Sequence, residues 1–254
     1  MALKIGLIGY TGKMGKILQT LISQDPDLFF VGGINSSFVE NDLIQLIKIK
    51  KTEVLIDFSH PSMLAPLLKT AQKEKTALVI GTTGFSKKDK AEIQKAAQNI
   101  PILYSPNFSL GIALLHQLIK LTAKKVGSLI TPSIRETHHK HKKDKPSGTA
   151  LFLAEELNIL LNLKEKEEKI PIEALRIDEA IGKHEIFCAL QDEKITLTHE
   201  ALNRKAFARG SLLAAKFLYQ KPAALYKIDE LFSSDAGTKS INKQTNKPTD
   251  VTTH

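Results

Sequence analysis

Glycines stand at Gly9, Gly12 and Gly15, directly after the apolar run Lys4-Ile-Gly-Leu-Ile8. Beyond them Met14, Ile17, Leu18, Leu21 and Ile22 recur at helical spacing, until Asp25-Pro26 ends the pattern. A chain that turns from strand to helix must fold back tightly, and side chains at the turn would block a phosphate. The helix beyond such a turn aims free N–H groups and its positive end at an anion. The context therefore predicts a dinucleotide cradle, which a Gly-x-x-Gly-x-x-Gly spacing alone would not. A Walker loop is excluded, because no Gly-x-x-x-x-Gly-Lys-Ser/Thr is present.

The pattern then repeats. Strands are expected at Leu28–Ile34, Val54–Phe58, Ala77–Ile80 and Ile102–Tyr104, with helices at 42–49, 63–75 and 87–98 between them. Strand–helix alternation of this kind implies βαβ units and a parallel sheet. After Phe108 the order changes. A long helix (110–125), a strand (128–136) and a helix (148–163) precede two strands of period two, 183–190 and 194–200. The expected fold class is α/β: a Rossmann-type parallel-sheet domain with an inserted α+β substrate and oligomerisation domain. Residues 1–107 with 210–232 form the first, residues 108–209 the second, and the polar residues 233–254 a disordered tail.

Composition narrows the function. Hydrophobic residues make up 42% of the 254, which excludes a disordered chain. No apolar run approaches the roughly 20 residues that span a bilayer. The net charge is +9, but it is almost all lysine, with arginine only at Arg135, Arg176, Arg204 and Arg209. A basic balance without a reading motif implies a solvated surface and no nucleic-acid partner. Cys188 is the one cysteine, so no internal disulfide forms, and a cytoplasmic location is expected.

NAD sites usually carry Asp or Glu about 20 residues beyond the loop, on the ribose 2′-OH. Here the second strand runs into Asn35-Ser36-Ser37, with no carboxylate before Glu40. Hydroxyls and Lys13 suit a 2′-phosphate, so NADPH is the expected cofactor and NADH a possible one.

The densest chemistry is Glu136-Thr-His-His-Lys-His-Lys-Lys-Asp-Lys-Pro-Ser-Gly-Thr-Ala150. Its end opens a helix, so Ser147, Gly148 and Thr149 offer backbone N–H groups to an anion. Lysines add positive charge, and a histidine delivers a proton near neutral pH. A small acidic substrate, receiving hydride and proton, fits this set. A solvated basic loop is the competing reading. Zinc at His-His-x-His is another, weakened by the surrounding lysines and by the lack of further ligands, so no metal is expected.

At this segment the chain resembles the 4-hydroxy-tetrahydrodipicolinate (dihydrodipicolinate) reductases of bacterial lysine and diaminopimelate synthesis. The resemblance runs over roughly residues 3 to 218. It rests on the glycine loop, Asp57-Phe-Ser-His-Pro61, Gly81-Thr-Thr-Gly-Phe85, Ser105-Pro-Asn-Phe-Ser-Leu-Gly111, the His/Lys segment and Arg204-Lys-Ala-Phe-Ala-Arg-Gly210. The resemblance implies that His138 donates the proton and that Lys142 stabilises charge on the substrate. His139 would contact the substrate, and Gly148 and Thr149 would hold a carboxylate. Gly9, Tyr10, Thr11, Gly12, Lys13 and Met14 would wrap the pyrophosphate, with Asn35 and Ser36 beside the adenosine ribose. Gly81, Thr82, Thr83, Ser105, Pro106, Asn107 and Phe108 would line the nicotinamide. A homotetramer is also implied, with residues 183–200 in its interface.

The chain departs from the family at Asn35 and Ser36, where many members carry an acidic residue or arginine. It also has Lys145 before Pro146, where a small residue is usual. Arg204 and Phe207 read as hinge or packing residues, His184 and His199 as surface or core, and Asp57 as a strand-end residue near the cofactor. The alternatives are another NAD(P)-dependent reductase on this fold and a dinucleotide-sensing regulator. A regulator has no need of a proton donor beside a carboxylate cradle.

Overall fold

The computed structural model describes residues 1–35, 40–163, 169–177 and 179–232. Ser36, Ser37 and the tail from Ser233 lie outside the described residues, as does the side chain of Glu40. The chain divides into two compact units. One takes Met1–Ser105 and resumes at Ala208; the other is Pro106–Phe207.

The first unit is a six-stranded sheet. Its strands are β1 (Leu3–Ile8), β2 (Leu28–Ile34), β3 (Val54–Asp57), β4 (Ala77–Ile80), β5 (Pro101–Tyr104) and β10 (Ala224–Tyr226). They lie in the order β10-β5-β4-β3-β1-β2, all parallel. Every residue of β3 and β4 is buried. A parallel sheet covered on both faces needs such continuous apolar runs, which is why these strands show no alternation. The helices of this unit before Ser105 are α1 (Lys13–Ser23), α2 (Glu40–Ile44), α3 (Leu64–Glu74) and α4 (Lys87–Ala96), and most of a later helix joins it from Ala208 on. Ser86 and Asp89 close α4 with a reciprocal capping box. Where one helix was expected over 42–49, α2 gives way to a π-helical turn at Gln45–Ile49. β10 has no counterpart in the sequence reading.

The second unit packs α5 (Leu110–Val126) and α6 (Gly148–Leu160) on a mixed sheet. Its strands are β6 (Thr131–His138), β7 (Ile172–Arg176), β8 (Lys183–Ala189) and β9 (Lys194–Glu200), ordered β7-β6-β8-β9. β7, also unforeseen, runs parallel to β6, whereas β8 runs antiparallel to both β6 and β9. Alternation sends Ile134, Ile186 and Cys188 into the core with Leu115, Ile119, Leu153 and Leu157. The expected start of β6 at Ser128 is a 3-10 turn, and the strand runs two residues further than expected, to His138. The last helix, α7 (Lys205–Leu218), begins five residues before the expected Gly210, because Asn203 accepts the backbone N–H of Lys205 at 2.8 Å and starts it early.

Candidate functional site

In the first unit, the glycine loop joins β1 to α1. Gly9 adopts a φ of +80°, and a Cβ there would fall 2.5 Å from the Phe58 carbonyl oxygen. A Cβ on Gly15 would fall 2.4 Å from the carbonyl of Tyr10. The loop can thus be closed this tightly only with glycine at both positions. The Gly12 N–H donates to the Gly9 carbonyl at 3.0 Å, and Gly12 caps α1 in extended conformation without a side-chain partner. No acidic residue lies in the first turn of α1, and Thr11, Gly12 and Lys13 are exposed, so its positive end meets solvent. Met14 is half-buried. These features fit a pyrophosphate: a cradle a Cβ would fill, above an uncapped helix start.

Tyr10 packs on Gly33, whose missing Cβ would lie 2.5 Å from the Tyr10 Cβ. Tyr10, Gly32, Gly33, Asn35, Asp42 and Lys50 help line a cavity of about 390 Å³. Asn35 thus stands beside the loop as expected from its position after β2. Asp42, which the sequence reading passed over, brings a carboxylate to the same cavity, and Lys50 a cation.

The strand ends β3 and β4 carry a second group of expected residues. Asp57 closes β3, only 1% exposed, and its Oδ1 accepts the Ser59 hydroxyl at 2.5 Å and backbone N–H at 3.1 Å. Burial pushes its carboxyl up to about 6, against the hydrogen bonds from Ser59 and Thr82 that pull it down. The Ser59 N–H also donates to the Thr82 hydroxyl at 2.8 Å, tying the two strand ends together. Gly81 makes room for the Phe58 ring, Thr82 is buried, Thr83 is exposed, and Ser105 is buried just beyond β5. All of these sit at carboxyl ends of parallel strands, where ligands bind in open α/β sheets.

In the second unit, the period of two that buries Ile134 also buries Glu136 and His138 on the same face. Glu136 is fully buried. Its Oε2 accepts a very short hydrogen bond from Nδ1 of His138. Its Oε1 accepts from Nη1 of Arg176 at 2.9 Å and from the backbone N–H of Ser147 at 3.2 Å. With Nδ1 committed, Nε2 of His138 is the exchangeable nitrogen. Gly182 lies beside it: a Cβ there would come within 3.0 Å of Nε2. Burial holds His138 below the usual histidine range, opposed by Glu136 and assisted by Lys142 and Arg176. His184 stacks edge-on at 5.2 Å between ring centroids. Burial, then His138, His199 and Lys142, push it down to about 3, so it stands neutral at neutral pH.

The expected anion cradle follows directly. Ser147 caps α6, its hydroxyl accepting the Ala150 N–H at 3.2 Å. Gly148 is exposed, and a Cβ on it would meet nothing within 4 Å. The Thr149 hydroxyl accepts the Asn107 amide at 3.0 Å, and Asn107 accepts the Ser109 N–H at 2.8 Å. Asn107, expected on the nicotinamide, therefore bonds Thr149, a residue expected on a substrate carboxylate, within its own unit. Pro106 is exposed and Phe108 fully buried. The Lys142 ammonium lies 2.8 Å from the Asp144 carboxylate. Partial burial alone would raise that carboxyl, but Lys142 and the N–H groups of Asp144 and Gly148 hold it below the usual range. His139 does not join this group; it is half-buried, with Nδ1 unpartnered and its ring 6.4 Å from that of His141.

Sequence reasoning singled out neither Glu136 nor Arg176, and it read His184 as surface or core. Glu136 had one available signal, its place two residues before His138. Arg176 had none, since it lies 40 residues from Glu136.

A glycine cradle on a parallel sheet, and in a second unit a carboxylate-held histidine beside open helix N–H groups, define a class. It is that of dinucleotide-dependent oxidoreductases with a separate substrate unit. Family models described as dihydrodipicolinate reductase, N-terminus and C-terminus, match residues 3–108 and 111–232. The chain belongs to the dihydrodipicolinate reductase family, as the resemblance implied, and is an oxidoreductase of lysine and diaminopimelate biosynthesis. A 4-hydroxy-tetrahydrodipicolinate reductase of Rickettsia rickettsii (strain Sheila Smith) is 42% identical over 239 residues, covering 91% of this chain and 99% of its own. That of Bdellovibrio bacteriovorus is 40% identical, covering 91% and 96%. Among solved structures, the dipicolinate-bound dihydrodipicolinate reductase of Paenisporosarcina sp. TG-14 superposes with a TM-score of 0.75 at 21% identity, over 89% of this chain and 98% of its own. That likeness shows the same α/β fold.

Proposed function

We propose that the chain reduces 4-hydroxy-tetrahydrodipicolinate to tetrahydrodipicolinate with a nicotinamide dinucleotide, His138 supplying the proton. One hydride and one proton enter, and one water leaves. The observation that carries this reading is His138, held by Glu136 through Nδ1 beside a helix start that already binds a carboxylate. Asp144 is that carboxylate: Lys142 and the Gly148 N–H take it, and a substrate carboxylate suits the same donors. Asp144 is more than half exposed, so little is lost in displacing it. Space over Gly148 is open for the incomer. Thr149 is oriented by Asn107, and Ser147 fixes the helix start.

The dinucleotide, when bound at Gly9–Met14, supplies the hydride, with Gly81, Thr82, Thr83 and Ser105 toward its nicotinamide. His138 in its imidazolium form gives its Nε2 proton, and the depressed affinity of the ring for that proton makes it a stronger acid. Lys142 offsets negative charge on the substrate.

NADPH is the proposed preference, with NADH accepted, because Lys50 in the cavity beside the loop and the exposed Lys13 at the start of α1 offer charge to a 2′-phosphate, while Asp42 in that cavity opposes it. Asp42→Asn is expected to raise the NADPH-to-NADH ratio of kcat/KM about two- to fivefold, the size of an exposed charge term. A fall in that ratio contradicts the assignment. The working form is proposed as a cytoplasmic homotetramer joined through β8 and the edge strand β9, whose Ile195 is exposed.

The test is direct. Substrate is generated from pyruvate and aspartate semialdehyde by a synthase, and NADPH or NADH absorbance is followed. Substrate-dependent oxidation is expected with both. No oxidation with either cofactor sinks the reading.

A further inference from the structure

We infer that Glu136 and Arg176 form the positioning pair of this site: Glu136 fixes which nitrogen of His138 carries the exchangeable proton, and Arg176 ties that carboxylate to the loop bearing Lys142. The inference rests on the proposed role of His138 as proton donor.

The geometry carries it. The parallel register of β6 and β7 sets Arg176 opposite His138. All three guanidinium nitrogens are used. Nη1 donates to Glu136 at 2.9 Å and to the Leu175 carbonyl at 2.6 Å. Nη2 donates to the Asp144 carbonyl at 2.5 Å, and Nε to the Lys142 carbonyl at 3.4 Å. A planar fork thus joins the carboxylate that holds the histidine to the backbone on either side of Lys143. A lysine has a single nitrogen and cannot span these acceptors. Glu136 is fully buried, and a buried carboxylate is tolerated only when paired and hydrogen-bonded. Arg176 and the Ser147 N–H meet that need, leaving Oε2 to the histidine.

Among the described residues, four elements bring titratable or charged groups toward His138. Glu136 faces it from its own strand and Arg176 from β7. Lys142 with Asp144 faces it from the loop, and His184 from β8, with His199 behind His184. The uncharged Ser147, which caps α6, bonds Glu136 and His184. Glu136 favours the imidazolium and Arg176 opposes it, so the two move its titration in opposite directions.

That opposition is the test. Nitrogen NMR of the histidine rings in the full-length protein reads the tautomer and titration of His138 without substrate. Glu136→Gln is expected to lower the His138 midpoint and to release the proton from Nδ1. Arg176→Gln is expected to raise it. Arg176→Lys keeps the charge and the midpoint but loses the fork, so KM for substrate rises several-fold while the pH profile of kcat stays in place.

A merely structural role would lower Tm and activity without moving the titration. An unmoved His138 midpoint in both glutamine variants overturns the inference. Shifts of opposite sign establish the pair. If those shifts occur but the alkaline limb of kcat does not follow them, the pairing stands and His138 as proton donor falls. Should Glu136→Gln not fold, the arginine variants decide alone: the midpoint must rise with glutamine and hold with lysine.

Discussion

His138→Ala is expected to lower kcat by about 10²- to 10⁴-fold, the range a positioned acid contributes, with little change in dinucleotide affinity. The ring lies in the second unit, and among the described residues the groups that act on it, Glu136, His184, Lys142 and Arg176, belong to that unit too. The glycine cradle lies in the first. Loss of the ring therefore removes the proton without touching the cradle. It also leaves Oε2 of the buried Glu136 without a donor, which costs about 1–3 kcal/mol of stability. His138→Asn controls for that loss, since its amide can still donate to Glu136 but cannot act as an acid near neutral pH. Both variants should fall in kcat to a similar extent. Titration of dinucleotide by fluorescence and steady-state kinetics check the split. Lost cofactor affinity with unchanged kcat would show the role misplaced.

Gly15→Ala is expected to weaken dinucleotide binding by roughly tenfold or more, each tenfold being 1.4 kcal/mol. Two effects compete at this position. Gly15 sits in the first turn of α1, where alanine has the better helix propensity by about 1 kcal/mol. Against it, the added Cβ falls 2.4 Å from the Tyr10 carbonyl oxygen and 2.5 Å from that of Gly9. Both obstacles are backbone, so neither can swing aside, and overpacking of this kind costs about 1–3 kcal/mol. The clash wins, and it is relieved only by opening the loop that would wrap the pyrophosphate. Stability changes little, because the propensity gain offsets part of the strain. Kinetically, KM for the dinucleotide rises more than kcat falls. Unchanged cofactor affinity in a folded Gly15→Ala protein would contradict the placement of the cradle.

Much of this was legible because the signals are local. Buried parallel strands such as β3 begin as unbroken apolar runs, here Val54–Ile56, and end before strong punctuation, here His60-Pro61. The glycine loop and the Ser147 cap are fixed by chain geometry within a few residues. β10 escaped because three residues, Ala224-Leu-Tyr226, carry no periodicity and take their place only by pairing with β5. β7 follows a run of lysine and glutamate and reads as part of a solvated stretch. Glu136 breaks the rule that buried positions are apolar, and the expected strand stops there, two residues short of His138. What licenses its burial is Arg176, a partner that only tertiary structure supplies. His184 likewise meets His138 through strand pairing, with Glu136 directly opposite it across β6 and β8.

The proposed reaction takes a hydride from the dinucleotide and a proton from His138. Its most direct test is a single turnover with cofactor deuterated at the transferable position of its nicotinamide, run on substrate made in situ. The expected product is tetrahydrodipicolinate carrying one cofactor-derived deuterium on a ring carbon, formed fast by the wild-type chain and about 10²-fold or more slower by His138→Ala. Product without that deuterium, or equal rates in the two proteins, would contradict it.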